Sequence, residues 1–137
     1  MRGAVAFLSL LLLATPLSAQ AAPAELPDSP AGTVLRAWLS AVNSADTARI
    51  RAYVIRHEAE DPADPRSVQE SFSNVQNVSE RTHGLTVVDW KQPRPERIEV
   101  TVQDAGGRKL AMFMEVTQVA GDWRVIDIGL RPMAAGS

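Results

Sequence analysis

The sequence predicts an α+β domain in which three N-terminal helices pack on a curved antiparallel sheet of about four strands. The apolar residues recur with the helical period of 3.6 in the first half of the chain and with the strand period of 2 from Leu85 onward. The expected strands are separated by short turns, which join antiparallel neighbours. Helices followed by strands are typical of α+β folds, where the helices cover one face of the sheet.

Two helices are predicted at the start of the domain. Ser29 is a favourable N-cap, and Pro30 follows at the first helical position, where a missing N–H costs nothing. Ser44 or Asp46 can accept the free N–H groups that begin a second helix. The apolar positions of the two helices recur at helical spacing and are Val34, Leu35, Trp38, Leu39, Val42, Ile50, Tyr53 and Val54.

A third helix is predicted after the proline-containing break at residues 61–65. Asp64 caps this helix, Pro65 occupies its first position and Gly84 ends it. Its narrow apolar stripe consists of Val68, Phe72, Val75 and Val78.

Four strands follow the third helix. Pro93 and Pro95 stop the first strand, because proline cannot donate to a ladder of hydrogen bonds. The segments 105–107 and 120–122 contain glycine and have the length of hairpin turns. The expected strands are Leu85 to Gln92, Glu96 to Asp104, Arg108 to Val119 and Trp123 to Leu130.

The last two strands are apolar on both predicted faces, which is typical of strands that are buried on both sides. The third strand carries Leu110, Met112, Met114 and Val116 on one side and Ala111, Phe113 and Val119 on the other. The fourth strand carries Trp123 and Val125 on one side and Ile126, Ile128 and Leu130 on the other. Three short helices cover one face, so curling of the sheet, a ligand or a second copy must cover the other. Because exposed apolar patches usually mark interfaces, we expect a homodimer through the sheet.

The composition excludes several classes of function. The chain of 137 residues has 14 Lys and Arg against 16 Asp and Glu, a net charge of -2, so it lacks the basic surface that nucleic acid binding needs. Without cysteine it has no thiolate nucleophile and no thiolate zinc site. No metal-ligand spacing links His57 and His83 to a carboxylate pair, so we expect no metal and no cofactor.

The first segment of the chain has the features of a secretory signal peptide. Arg2 precedes the apolar run 4–13, and the small residues Ala19 and Ala21 fit a cleavage site after Ala21. The apolar run is too short to span a membrane, so we expect no stable anchor after cleavage. We therefore expect a periplasmic or secreted protein. Its segments are a signal peptide at 1–21, a flexible leader at 22–30, one domain at 31–133 and a disordered tail at 134–137.

Residues 34–46 combine an amphipathic helix with an Asn-x-x-Asp turn, residues 81–85 lead into a strand, and residues 126–132 form the closing strand. This series resembles the nuclear transport factor 2-like superfamily, which includes ketosteroid isomerase and polyketide cyclase-like proteins. It is also similar to accessory domains that accompany hydrolase domains in some secreted bacterial proteins. The resemblance spans about residues 31–132. It implies a cone-shaped fold around a pocket, often dimeric through the sheet, but no single reaction.

The resemblance implies an enzymatic alternative, in which a pocket carboxylate or histidine abstracts a proton and a tyrosine donates to the oxyanion. Asp127 is the candidate base because an apolar environment would raise its pKa, and Tyr53 and His83 complete the candidate set. Asp89 and Glu115 are similar carboxylates, but strand alternation can turn any of the three to solvent. A helix cap is the competing interpretation for His83, and a core position for Tyr53.

The large apolar side chains either line a pocket for a small apolar molecule or fill the cone, and close packing is the default for interiors. The candidate pocket residues are Trp38, Tyr53, Phe72, Trp90, Met112, Met114, Trp123 and Asp127, with Phe113 as a further aromatic candidate. We predict an exported, non-catalytic module that binds a small molecule or a partner. The alternatives are an isomerase or cyclase with Asp127 as general base and an accessory subunit of an extracytoplasmic hydrolase.

Overall fold

The computed structural model describes residues 24–134, which form three helices followed by an open four-stranded antiparallel sheet. The predicted α+β class and order of elements are confirmed. The predicted signal peptide lies outside the described residues, as does the predicted tail beyond Ala134. The elements are α1 Pro30–Ser44, α2 Thr47–His57, α3 Pro65–Thr82, β1 Leu85–Arg94, β2 Arg97–Asp104, β3 Lys109–Val119 and β4 Asp122–Pro132.

The helices begin at the polar side chains that the sequence predicts as caps. Ser29 Oγ accepts a hydrogen bond at 3.0 Å from a backbone N–H in the first turn of α1. Asp46 and Asp64 cap α2 and α3 in the same way. His83 is the C-cap of α3, in the left-handed region at φ 53°. In the described part of the chain, no helix is both long enough and apolar enough to cross a membrane.

The strands form a meander in the order β1-β2-β3-β4, so β1 and β4 are the edges of the sheet. Except at β-bulges in β1 and β4, alternate residues of each strand point toward the three helices, as the period of 2 requires. We call this side the inner face and the opposite side the outer face. The strands contribute to the core the buried residues Leu85, Val87, Ile98, Val100, Val102, Leu110, Met112, Met114 and Val116.

A β-bulge at Ile126 corrects the prediction that β4 is apolar on both faces. Val125 pairs with Val116 and Asp127 pairs with Glu115, so one residue of β4 has no partner on β3. The bulge turns the apolar residues on either side of it toward the same inner face and leaves Ile126 exposed. The residues that pack against the core from β4 are Trp123, Val125, Ile128 and Leu130. The strand therefore has one apolar face.

The segment predicted as a flexible leader is in contact with the domain from Ala24 onward. Ala24 N donates to a backbone carbonyl at the edge of β1 at 3.2 Å, and Trp90 Nε1 donates to Glu25 O at 2.8 Å. Arg36 of α1 donates to Leu26 O at 3.2 Å. Ala24 and Leu26 also pack against the core, and the apolar surface they bury offsets the entropy cost of ordering the segment. Residues 24–30, within the predicted leader, are therefore held against the domain by these contacts.

Candidate functional site

The apolar residues predicted to line an interior pocket lie in the hydrophobic core between the helices and the sheet. Trp38 is 2% exposed and Met114 is 0% exposed. Trp90 and Trp123 are half-buried and pack against the same core. The members of the predicted set that are buried are Trp38, Tyr53, Phe72, Met112 and Met114. These side chains make the contacts that join the helices to the sheet.

The structure does not bring the predicted catalytic residues together. Asp127 pairs with Glu115 and is exposed on the outer face of the sheet. Tyr53 is buried in the core on the other side of the sheet. His83 is exposed at the end of α3, and Asp89 is exposed on the outer face. An isomerase-type site built from Asp127, Tyr53 and His83 is therefore not assembled in this fold.

Tyr53 has a carboxyl neighbour that sequence reasoning missed, Glu58. Burial raises the pKa of Glu58 to about 7, and its contact with Tyr53 offsets only part of that effect. Burial, reinforced by the charge of Glu58, raises the pKa of Tyr53 well above its usual value. Neither Tyr53 Oη nor Glu58 Oε2 has a hydrogen-bond partner of good geometry among the described residues. No spacing pattern could have found Glu58, because it follows the last turn of α2, where helical periodicity no longer sets side-chain direction.

Residues of β4 hold the C-terminal end of α2 beside this pair. His57 Nδ1 lies 2.8 Å from Trp123 O. The guanidinium of Arg124 donates to the carbonyl oxygens of Ile55, Arg56 and Ala59. A cation at a helix C-terminus satisfies free carbonyl groups and meets the negative end of the helix dipole. This arrangement fixes the position of Glu58. Within residues 24–134, however, Glu58 forms no ion pair.

The outer face of the sheet carries a groove of about 610 Å³. Its floor is the ring of Phe113, which lies against β4 because the paired residue, Gly129, has no side chain. A Cβ atom at Gly129 would overlap that ring. Ala111 and Thr101 add small side chains beside the aromatic floor. Phe113, a candidate for the interior pocket, therefore belongs to this outer groove.

Charged side chains of both signs surround Phe113 on the outer face. Arg97 stacks on the Phe113 ring, with its Cζ atom 4.6 Å from the ring centroid. The Arg97 guanidinium also lies 3.3 Å from the carboxylate of Glu115, which contacts Arg94 as well. Exposed charged residues of this face that form no ion pair within residues 24–134 include Asp89, Lys91, Lys109, Asp127 and Arg131. An aromatic centre with a charged rim is typical of protein interfaces.

Gly129→Val tests the contact that shapes the groove. We expect the variant to lose about 1–3 kcal/mol of unfolding free energy, because the added side chain collides with the Phe113 ring. Urea denaturation measures this loss. Removing the ring relieves the collision, so the double variant with Phe113→Ala should lose less than the sum of the two single variants. Additive losses in this double-mutant cycle would contradict the contact.

No protein-family model and no curated protein matches this chain. The chain is similar to a solved structure of a DUF4783 family protein from Bacteroides ovatus ATCC 8483, with 12% identity and a TM-score of 0.46. The alignment covers 80% of this chain and 97% of that chain. At this identity and TM-score the likeness carries no inference about function. The class that the fold defines is α+β, with three helices on one face of a four-stranded meander.

Proposed function

We propose that this chain is an exported, non-catalytic binding module that binds a protein through the outer face of its sheet. The groove around Phe113 carries the proposal, because it is open, has an aromatic floor and lies among charged residues that form no ion pair within the described part of the chain. The interior, in contrast, buries the side chains that would have to contact a ligand.

The positions of the titratable residues support a non-catalytic role. A catalytic acid or base must reach the proton that it transfers, directly or through one water molecule. Tyr53 is 6% exposed and packs within the core, so its hydroxyl does not face a substrate. Asp127 is exposed to solvent on the outer face of the sheet, on the opposite side from Tyr53.

The composition of the groove favours a protein over a small apolar molecule. A small-molecule site buries most of its ligand within a concave and largely apolar pocket. This groove is open along the sheet and is lined by Lys91, Arg131 and Asp89 as well as by Phe113. Aromatic and arginine side chains surrounded by polar residues are the groups that carry most of the binding energy in protein interfaces.

Family and location belong to the same proposal. Three helices before a four-stranded antiparallel sheet are compatible with the nuclear transport factor 2-like superfamily, and we propose that the chain is a member. The apolar run 4–13 and the small residues before position 22 support export to the periplasm or the medium. An accessory subunit of an extracytoplasmic hydrolase is one form that such a module takes.

A photocrosslinker placed in the groove tests the proposed function. With p-benzoylphenylalanine at Thr101 on the outer face, we expect one discrete protein adduct in cells that produce and export the chain. The same amino acid at Glu70, exposed on α3, is the control and should give no such adduct. The absence of an adduct from Thr101, or equal adducts from both positions, would contradict the proposal.

A further inference from the structure

The outer face of β4 presents three residues in a line. Asp127, Gly129 and Arg131 follow the bulge at Ile126 at intervals of two residues, so they lie on the same face of the strand. Neighbouring positions in this line are about 7 Å apart, and the acid is about 13 Å from the base. We call these three residues the β4 row. The row presents a negative charge, an uncharged gap and a positive charge in that order.

The charged ends of the β4 row form no ion pair within residues 24–134. Asp127 is exposed and pairs with Glu115, whose carboxylate is already in contact with two arginines. Arg131 is exposed and pairs with Ala111, which has no charge. Lys109, two residues before Ala111 on the same face, places a second exposed cation near Arg131. Each end can therefore accept a charge of opposite sign from a partner.

The middle of the β4 row is apolar. The ring of Phe113 lies over Gly129, in the space that a side chain at this position would occupy. Arg97 stacks on the same ring, and the small side chain of Ala111 leaves the groove open beside it. An apolar side chain of a partner would be buried against the ring between the two charged ends, and its removal from water would favour binding.

We propose that the outer face binds an extended segment of another protein that carries a basic, an apolar and an acidic residue at alternate positions. This inference rests on the proposed function. Alternate residues of an extended chain lie on one face about 7 Å apart, which is the spacing of the β4 row. The basic residue then faces Asp127, the apolar residue contacts Phe113, and the acidic residue faces Arg131. Because these contacts join two faces and involve no backbone pairing, the segment can carry the three residues in either order.

A helical segment does not fit the same three positions. A helix rises about 1.5 Å and turns about 100° per residue. The residue about 13 Å further along a helix is therefore about nine positions away and points to the opposite side. A helix that places one charged side chain on Asp127 would turn the second one away from Arg131. The spacing of the β4 row thus favours an extended partner.

The partner segment is not one of the strands of this chain. None of the four strands carries a basic, an apolar and an acidic residue at alternate positions, in either order. The β4 row itself has glycine between its acid and its base. A second copy would therefore not supply the complementary pattern from its sheet, and the charge pattern favours a different protein.

Selection of peptides from a random library tests this pattern. The probe is a library of nine-residue peptides displayed in many copies on phage, because multivalent display retains peptides whose single contacts are weak. On the purified wild-type chain we expect opposite charges on either side of an apolar residue, at alternate positions, to be enriched at least about tenfold over the unselected library. Glu70→Arg on α3 is the matched control and should select the same pattern as the wild type.

Reversing one charge of the β4 row should change the selected pattern in a defined way. On Arg131→Asp the row has two acids, so the enriched peptides should carry two basic residues around the apolar one. On Asp127→Arg they should carry two acidic residues. Both substituted residues are exposed, and thermal unfolding checks that each variant is folded.

Two results of the selection would overturn the inference: no enriched pattern on the wild type, or the same pattern on the wild type and on both charge variants. Charges enriched at helical spacing would overturn it as well. If Thr101 nevertheless gives a discrete adduct with a protein in cells, the proposed function stands and only the pattern of the partner is wrong. An adduct that consists of two copies of this chain would have the same consequence. Absence of any adduct would contradict the proposed function itself.

Discussion

Met114→Ala is expected to lower the free energy of unfolding by about 2–5 kcal/mol, because it removes a fully buried side chain and leaves a cavity. Met114 is 0% exposed on the inner face of β3 and lies within the cluster that joins the helices to the sheet. Two effects add up: the apolar surface of the methionine side chain is no longer buried, and the close-packed residues around it relax too little to fill the cavity. Urea denaturation at one pH measures it.

Ile126→Ala is the matched control for this prediction. Ile126 has a side chain of similar size on the neighbouring strand, but it is 59% exposed at the bulge. We expect this variant to lose less than about 0.5 kcal/mol, as surface substitutions usually do. If Met114 lined a hollow pocket, its truncation would cost no more than that of Ile126, and equal losses would contradict a packed interior.

Glu58 is expected to make the protein less stable as the pH rises from 4.5 to 7. The folded state raises the pKa of this carboxyl from 4.5 to about 7, so the folded protein holds a proton that the unfolded chain releases in this range. The contribution of Glu58 is therefore fully present below pH 4.5 and is lost by the time the pH passes 7. A pKa shift of this size corresponds to a change of about 3 kcal/mol in the free energy of unfolding.

The comparison of Glu58→Gln with the wild type isolates this effect. Glutamine does not titrate, so the stability difference between the two proteins should change by about 3 kcal/mol in favour of the variant between pH 4 and pH 8. Glu60→Gln, an exposed neighbour, is the control and should show no comparable change. A constant difference between wild type and Glu58→Gln across this range would contradict the burial of the carboxyl.

The helices and the turns were predictable because short-range chemistry determines them. Ser29, Asp46 and Asp64 each satisfy the free N–H groups of the helix that follows, a contact that needs no distant residue. The proline and glycine residues between the elements act in the same local way. The change of hydrophobic period from 3.6 to 2 at Leu85 also predicted where the helices end and the sheet begins, because the two periods are easily distinguished.

The faces of β4 were not predictable from alternation. The bulge at Ile126 inserts one residue into the pairing with β3, and everything beyond it changes face. Asp127 is consequently on the outer face, although the side chains around it in the sequence are apolar. A bulge depends on the register of two strands, and a single strand's sequence does not report that register.

The contacts of Glu58 and of the leader depend on residues far away in the chain. Glu58 Oε2 is buried beside the end of α2 that Arg124 of β4 holds in place. Glu25 accepts a hydrogen bond from Trp90 of β1. Both interactions join segments separated by more than sixty residues. Local sequence identifies neither partner, so these parts of the site follow from tertiary packing alone.

Solvent accessibility of methyl groups on β3 tests most directly the claim that binding uses the outer face and not the interior. On β3, Met112 and Met114 point into the core, whereas the neighbouring Ala111 faces the outer groove. In the purified chain labelled at Met and Ala methyl groups, a soluble nitroxide should broaden the NMR signal of Ala111 and leave those of both methionines sharp. Broadened methionine signals beside a protected Ala111 would show a hollow interior open to solvent and would contradict the account.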